Sequence, residues 1–204
     1  MDPQSLPAQD IAAVQSGSPG SLLCEANHSQ LVVVDIQSKL GAAMPAKVLN
    51  RVVQNTTLLL KAANLFNIPV LASEQYPQGL GPLEPSISEY LPASTKRFAK
   101  TCFSCTGADG FLTAIHENRR PQVIITGMEA HVCVLQTAIE LRNQGLLVFV
   151  AEDAVCSRKL ENYQNALIRL YQVGITMISA ESVIFEWLKD ANHEYFKTLV
   201  SLLR

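Results

Sequence analysis

The sequence predicts an α/β fold: an open, mostly parallel sheet of six strands with helices on both faces, a Rossmann-like three-layer sandwich. The first observation is a set of short apolar runs without polar alternation, such as residues 31–34 and 123–125. Such runs are typical of strands buried on both faces. The second is that segments with helical periodicity alternate with these runs along the chain. We expect right-handed crossovers between the strands and the doubly wound strand order 3-2-1-4-5-6.

The predicted strands and helices follow one another in regular order. The strands are placed at residues 31–34, 68–72, 97–100, 123–125, 146–150 and 175–178. The helices are placed at about residues 46–66, 106–118, 131–145, 157–172, 179–188 and 193–203. Pro45 is typical of a helix start, Gly145 of a left-handed helix end, and Ser157 and Ser179 of N-caps. Residues 73–85 are rich in Pro and Gly and longer than a plain βα turn, so we expect them to shape a site.

Length and composition predict one compact domain at residues 28–204, preceded by a partly flexible N-terminal extension at residues 1–27. The chain has 204 residues, of which 48% are hydrophobic and 17% charged, enough for one sizeable core. Residues 1–20 are rich in Pro, Ser, Gln and Gly, contain no Lys or Arg and have no long apolar stretch. They therefore resemble neither a signal peptide nor a transit peptide.

The net charge indicates the class of binding partner, and the cysteine content indicates the cellular compartment. The formal net charge is −2 and no basic stripe with interleaved aromatic residues is present, so we expect a small-molecule substrate and no nucleic acid. No apolar run is long enough to span a membrane. The five cysteines are an odd number without framework spacing, which favours free thiols in a reducing cytoplasm. Cys102 and Cys105 form a C-x-x-C without a second pair, which we interpret as incidental.

Cys133 is the candidate nucleophile. It lies beyond the fourth predicted strand and its Gly127 turn, in the first turn of the following helix. Unpaired N–H groups and the helix dipole stabilise a thiolate at such a position, so we expect the pKa of Cys133 to be lowered. The alternative interpretation is that Cys133 is one more small buried hydrophobic residue.

Asp35 and Lys100 complete a candidate constellation at the same edge of the sheet. Asp35 ends the first strand and Lys100 the third, and ligands bind outside the carboxyl ends of such strands, at the switch point between strands one and four. A carboxylate beside a thiol can move its proton, and an ammonium stabilises both negative charges. The alternatives are that Asp35 caps a turn and that Lys100 is a solvated surface residue.

Further polar residues near these positions have two interpretations each. His131 precedes Cys133 by two residues, so in a helix it points to another face, which favours a lining or capping role over that of a base. Glu74, Gln75 and Tyr76 either contact the substrate or only order their own loop. The other histidines are scattered and form no ligand set.

Five motifs resemble those of the isochorismatase-like cysteine hydrolases, in particular the branch without an assigned substrate. The resemblance covers nearly everything from Leu31 to the C-terminus. The motifs are VVVDIQ at 32–37, SEQYPQGLG at 73–81, FAKTCFS at 98–104, GMEAHVCV at 127–134 and EDAVCSR at 152–158. The family fold is an open parallel six-stranded α/β sheet, which agrees with the fold that the residue pattern predicts.

The resemblance implies a catalytic triad of Asp35, Lys100 and Cys133. It also implies a cis peptide bond at Met128–Glu129 and an oxyanion hole formed by the N–H groups of Glu129 and Cys133. The residues expected to line the substrate pocket are Gln37, Glu74, Tyr76, Met128 and His131.

Cofactor and assembly expectations follow from the same resemblance. Nicotinamidases of the family carry a metal-binding Asp-x-His motif after the second strand, which residues 73–77 lack, so we expect no catalytic metal and no cofactor. Family relatives commonly form dimers or larger homo-oligomers, and we expect the same here. The apolar residues Phe185, Trp187 and Leu188 are either a subunit contact or part of the core.

The predicted function is hydrolysis of a small amide or related C–N bond through a thioester on Cys133. Asp35 is expected to move the protons and Lys100 to stabilise the ionised groups. Two alternatives stay open: vinyl-ether hydrolysis of the isochorismatase kind, and a binding protein that keeps the fold without turnover.

Overall fold

One parallel sheet organises the protein in the computed structural model, which describes residues 23–203. Its strands are β1 (Ser29–Val34), β2 (Val70–Gln75), β3 (Lys96–Lys100), β4 (Gln122–Met128), β5 (Leu147–Cys156) and β6 (Thr176–Ile178). Every neighbouring pair is parallel, in the order β3-β2-β1-β4-β5-β6. The predicted fold class and strand order are confirmed.

Helices connect the strands. They are α1 (Ser38–Gly41), α2 (Ala46–Leu65), α3 (Pro77–Leu80), α4 (Pro85–Ser88), α5 (Phe111–Glu117), α6 (Leu135–Asn143), α7 (Leu160–Gln172), α8 (Ala180–Leu188) and α9 (Phe196–Leu202). A 3-10 turn at Cys105–Gly107 precedes α5, and a π-helical turn at Ala130–Val134 precedes α6. The predicted loop at 73–85 contains α3 and α4, each with Pro at its first position, where a missing N–H is tolerated. Within residues 23–203, no helix is long and apolar enough to cross a membrane.

Strand β5 is longer than the predicted residues 146–150. Its pairing with β4 shifts register between Ile125 and Gly127, after which Val155 and Cys156 pair with Gly127 and Met128. The irregularity lets the strand continue instead of ending at Val150. Residues 152 and 153, expected at the tip of the strand, therefore lie within it.

Two local predictions about helix starts were wrong and one is confirmed. Lys159, and not Ser157, occupies the N-cap position of α7, and the Ser157 hydroxyl contacts His131 Nδ1 instead. The helix predicted at 106–118 is interrupted at Gly110. This residue has a left-handed backbone (φ 75°), which glycine adopts without steric cost, and α5 begins after it. Ser179 does cap α8, and its Oγ accepts the Ser182 N–H at 3.1 Å.

The hydrophobic core has two layers, one on each face of the sheet. Leu31 and Val33 of β1 point into the layer that contains α2 and α8, whereas Val32 and Val34 point into the layer with α5, α6 and α7. All six residues of β1 are buried, as the unbroken apolar run predicted. Trp187 and Leu188 belong to the core, while Phe185 is 42% exposed.

The described part of the predicted N-terminal extension packs against the domain. Cys24 is fully buried, and its N–H donates to Glu186 Oε2 at 2.6 Å. The Glu25 N–H donates to Gln122 Oε1 at 2.7 Å. The rest of the predicted extension, residues 1–22, lies outside the described residues.

Candidate active site

Asp35, Lys100 and Cys133 meet at the carboxyl edge of the sheet, at the switch point between β1 and β4. Asp35 directly follows β1, Lys100 is the last residue of β3, and Cys133 lies in the π-helical turn after β4. Asp35 adopts a left-handed backbone (φ 51°), which is uncommon outside glycine and several-fold enriched in Asp and Asn. The backbone therefore turns sharply at Asp35, directly after the end of β1.

The centre of the site is a buried ion pair. Lys100 Nζ lies 2.7 Å from Asp35 Oδ2, and both side chains are fully buried. Burial alone would lower the pKa of Lys100, but the negative charge of Asp35 outweighs it, and the pKa is raised. Lys100 is therefore a fixed positive charge, and the interpretation of Lys100 as a solvated surface lysine is wrong.

Other acceptors complete the surroundings of the ammonium group. Lys100 Nζ also donates to Gln75 Oε1 at 2.7 Å and to the carbonyl oxygens of Phe103 at 3.0 Å and Cys102 at 3.3 Å. The Gln75 amide is oriented in turn by donating to the Thr101 carbonyl at 2.8 Å. The ammonium thus has an acceptor for each of its three N–H bonds.

Ser73 and Cys105 hold the other side of the carboxylate. Ser73 Oγ donates to Asp35 Oδ1 at 2.7 Å, and Cys105 Sγ donates to Ser73 Oγ at 3.3 Å. The Cys105 N–H is itself bound by Thr137 Oγ1 at 2.9 Å. Burial, followed by the charge of Asp35, raises the pKa of Cys105 to about 11. This thiol is a neutral hydrogen-bond donor at neutral pH.

Cys133 is 5% exposed, and its pKa is raised, contrary to the sequence prediction. Burial is the largest cause; the charge of Asp35 and a hydrogen bond to its carboxylate add to it, against the opposing charge of Lys100, and the pKa reaches about 12. The prediction considered the unpaired N–H groups and the dipole of the helix start. It did not include desolvation and a neighbouring carboxylate, which favour the neutral thiol.

Gly127 allows the chain to turn into the site. Its backbone is left-handed (φ 135°), and a Cβ at this position would lie 2.0 Å from the Val34 carbonyl oxygen. β1 and β4 can therefore approach each other only with glycine here. The peptide bond between Met128 and Glu129 is cis, at the position that the resemblance implied.

Glu129 and His131 belong to a polar network that follows this turn. Glu129 Oε1 lies 2.6 Å from Arg158 Nε, and Glu129 Oε2 lies 3.5 Å from His131 Nδ1. The His131 ring also contacts Ser157 Oγ at 2.9 Å and Asn162 Nδ2 at 3.2 Å. His131 is thus held by polar side chains outside the Asp35–Lys100 pair, which fits the predicted lining or capping role and not that of the base.

Gln37 and Met128, two of the residues predicted to line the substrate pocket, make contacts within the protein, and their contact with a substrate stays a prediction. Gln37 Nε2 donates to the carbonyls of Gln75 at 3.0 Å and Gly81 at 2.6 Å, and its Oε1 accepts the Gln75 N–H at 2.7 Å. The amide is therefore occupied in fastening the 75–81 loop. The Met128 side chain is fully buried in the core layer that contains α2, whereas Cys133 lies in the layer on the opposite face.

Glu74 and Tyr76 belong to the same loop. Glu74 Oε1 accepts the Leu83 N–H at 2.9 Å, which favours the interpretation that it orders its own loop. Tyr76 has a left-handed backbone (φ 38°), donates its N–H to the Lys100 carbonyl at 2.7 Å and exposes 53% of its surface. Its substrate contact stays a prediction.

Ser73 and Cys105 were not among the predicted site residues, and Gln75 was considered only with its loop. Residues 73 and 75 extend β2 to the edge where Asp35 lies, so a longer second strand would have indicated both. Cys105 belongs to the C-x-x-C interpreted as incidental; no second cysteine pair or histidine marked it. Among residues 23–203, no group of three or more His, Cys, Asp and Glu side chains is placed to hold a metal ion. The absence of a catalytic metal stays a prediction.

Comparisons with known proteins agree with this fold. The Isochorismatase domain model matches residues 29–182. Isochorismatase domain-containing protein 2 of Bos taurus is 34% identical over 181 residues, which are 86% of this chain and 83% of that protein. The MAR1 ribonuclease structure from Caenorhabditis elegans is 34% identical, with a TM-score of 0.82 over 89% of this chain and 92% of that one. The YcaC gene product of Escherichia coli, an octameric hydrolase of unknown specificity, is 24% identical, with a TM-score of 0.81 over 91% and 92% of the two chains.

The protein is a doubly wound α/β protein with a carboxylate, an ammonium and a thiol at the switch point of its sheet, where ligands bind in such folds. The chain belongs to the isochorismatase family. This membership indicates a hydrolase.

Proposed function

We propose that the protein is a cysteine-dependent hydrolase of a small amide or related C–N bond, with Asp35, Lys100 and Cys133 as its catalytic triad. The observation that supports this most directly is the shared position of the Asp35 carboxylate. It pairs with Lys100 at 2.7 Å, and its negative charge helps to raise the pKa of the neighbouring Cys133 thiol. A carboxylate in this position can accept the thiol proton, and the ammonium of Lys100 balances the negative charge before and after the transfer.

The first half of the proposed reaction forms a thioester. Cys133 Sγ attacks the amide carbonyl carbon as Asp35 takes the thiol proton, so no free thiolate accumulates beforehand. The oxygen of the tetrahedral intermediate is stabilised by the N–H groups of Glu129 and Cys133. The C–N bond then breaks, and the proton on Asp35 passes to the departing amine.

The second half releases the acid. Asp35, again a carboxylate, takes a proton from water, whose oxygen attacks the thioester carbonyl. The C–S bond breaks, and the proton returns to the sulfur of Cys133. Lys100 stays charged throughout, and its fixed ammonium stabilises each state in which Asp35 or Cys133 is negative.

A panel of small primary and secondary amides tests this proposal, with release of ammonia or amine as the readout. We expect Cys133→Ala to lower turnover by about 1,000-fold or more. Cys24→Ala is the matched control, because Cys24 is also a buried thiol but packs beside Glu186, in the core layer on the other face of the sheet. Pyruvate release from isochorismate without amide hydrolysis would favour the vinyl-ether reaction. If no amide is hydrolysed and Cys133 forms no thioester, the binding-protein interpretation replaces this one.

RNA belongs in the same panel, because the Caenorhabditis elegans relative is named a ribonuclease. The net charge of −2 does not favour a polyanion, so we expect no cleavage of labelled RNA. RNA cleavage that is lost in Cys133→Ala would contradict the proposed substrate class.

The proposal includes self-association and a cytoplasmic location. Three apolar side chains of α7 are strongly exposed, namely Leu160 (64%), Ile168 (57%) and Tyr171 (74%). An exposed apolar stripe of this kind supports contact with a second copy of the chain. The cysteines, all within residues 23–203, are unpaired, which suits a reducing compartment.

A further inference from the structure

The Glu129 carboxylate is held at several points although it takes no part in the proposed proton transfers. Arg158 Nε lies 2.6 Å from Oε1, and the Arg158 backbone N–H donates to Oε2 at 3.3 Å. The Glu129 side chain is 8% exposed, whereas the Arg158 side chain is 58% exposed. The carboxylate is thus fixed from the solvent side by one residue that supplies both its side chain and its backbone.

His131 supports the same carboxylate from a second direction. Asn162 Nδ2 donates to His131 Nε2 at 3.2 Å, which leaves the ring proton on Nδ1. That Nδ1–H points to Ser157 Oγ at 2.9 Å and lies 3.5 Å from Glu129 Oε2. Ser157 and Glu129 contact the same ring nitrogen, so this cluster cannot relay a proton from one to the other. It is a support and not a second catalytic triad.

Hydrogen bonds also fix the backbone carbonyl of Glu129. Its carbonyl accepts the N–H groups of Val132 at 3.0 Å and Val134 at 3.2 Å. Its own N–H makes no hydrogen bond to another residue in the described part of the chain. Glu129 as a whole is 6% exposed. At a buried residue, an N–H without an acceptor is unusual and is expected where a ligand supplies the acceptor.

We infer that Arg158 is a positioning residue that holds the Glu129 N–H at the place where the oxyanion of the proposed reaction develops. This inference rests on the proposed function. The carbonyl of Glu129 is fixed by the turn, but rotation about its Cα would still move the N–H relative to the substrate. Fixing the side chain through Arg158 and His131 removes that freedom before the substrate arrives. Oxyanion stabilisation depends on such preorganisation.

Two reagents that react with the same sulfur distinguish a positioning role of Arg158 from simple loss of the nucleophile. p-Nitrophenyl acetate acylates Cys133 through a tetrahedral oxyanion: the S–C bond forms, the C–O bond to nitrophenolate breaks, and the thiol proton is transferred away. Iodoacetamide alkylates the same sulfur by displacing iodide from a CH₂ group and forms no oxyanion. The ratio of acylation rate to alkylation rate at Cys133, each followed by peptide mass spectrometry, therefore reports on the oxyanion hole alone.

For Arg158→Ala we expect acylation to fall by about tenfold or more, while alkylation changes by less than about twofold. Glu129→Gln should act in the same direction, because it removes the charge that Arg158 binds. Arg158→Lys should recover part of the lost acylation, since an ammonium can pair with Oε1 but lacks the guanidinium geometry. Arg169→Ala is the matched control, an exposed arginine on α7 for which we expect both rates to stay within about twofold.

The possible failures differ from one another. If Arg158→Ala lowers both rates equally, or neither, Arg158 does not position the oxyanion hole, and the proposed function stands without it. If wild-type Cys133 is alkylated but never acylated, the acyl-transfer function fails, and this inference fails with it. Circular dichroism and thermal unfolding of each variant show that the compared proteins are folded.

Discussion

The ammonium of Lys100 and the carboxylate of Asp35 lie 2.7 Å apart with both side chains fully buried, although β2 lies between their two strands in the sheet. A buried pair of this kind stabilises a fold only while both partners are present. It also sets the charge that the neighbouring Cys133 thiol experiences. The first two predictions follow from this pair.

The pH profile of Cys133 alkylation should shift to lower pH in Asp35→Asn. In the wild type the pKa is raised to about 12, so the rate with iodoacetamide should still be rising above about pH 10. Removing the negative charge of Asp35 and leaving Lys100 unneutralised both stabilise the thiolate, so alkylation at pH 8 should become faster. Amide turnover should fall in the same variant, because the proton acceptor is lost.

Cys156 provides the internal control for that experiment, since its pKa is raised by burial for reasons that do not involve Asp35. Its alkylation should be unchanged. An unshifted or higher Cys133 profile in Asp35→Asn would contradict the electrostatic account of the site.

Lys100→Met should destabilise the protein by about 3–5 kcal/mol, because it leaves the Asp35 carboxylate buried without its partner. Lys96→Met is the matched control. Lys96 also forms a 2.7 Å ion pair, with Glu117, but both side chains are 57% exposed, so its loss should cost at most about 1 kcal/mol. Urea unfolding followed by circular dichroism measures both, and equal losses would show that burial of the Lys100 pair has no energetic consequence.

Gly127→Ala should destabilise the protein by more than about 3 kcal/mol, because the new Cβ would meet the Val34 carbonyl oxygen at 2.0 Å. Gly145→Ala separates this clash from the cost of a left-handed backbone. Gly145 also has a positive φ (84°), but no atom lies within 4 Å of its Cβ position, so we expect about 1–2 kcal/mol. Thermal unfolding compares the two, and equal effects would refute the steric explanation.

The double variant Ile168→Asp, Tyr171→Asp should reduce self-association, because it places charges in the exposed apolar stripe of α7. Light scattering coupled to size-exclusion chromatography gives the mass of each species. Gln54→Asp on α2 is the control for an added surface charge. A wild-type protein that is monomeric at all concentrations would contradict the proposed oligomer, and an unchanged mass in the double variant would place the contact elsewhere.

The sequence predicted the parallel sheet and the meeting of Asp35 and Lys100 at one edge of it, because both depend on local patterns. Residues 31–34 and 123–125 are continuous apolar runs, and a parallel sheet buries such strands on both faces. Once the strand order was predicted, Asp35 and Lys100 had to lie at the same edge. The family motifs placed the Met128–Glu129 peptide bond and Cys133 beside them.

The electrostatics of the site were decided by the tertiary structure. The position of Cys133 at a helix start predicted a lowered pKa, but the folded chain buries the thiol and places Asp35 against it, and both effects raise the pKa. Similarly, Gln37 follows Asp35 by two residues, yet long-range contacts with residues 75 and 81 occupy its amide.

What the sequence determined by itself is which segments form strands and helices and which reactive residues follow the strands. Those properties follow from hydrophobic patterning, which neighbouring residues encode. Burial, ion pairing and hydrogen-bond partners arise between segments far apart in the chain, as the contacts of Ser73, Cys105 and Arg158 show. Only the packed structure decides them, because desolvation and Coulomb energies depend on distances that no local pattern contains.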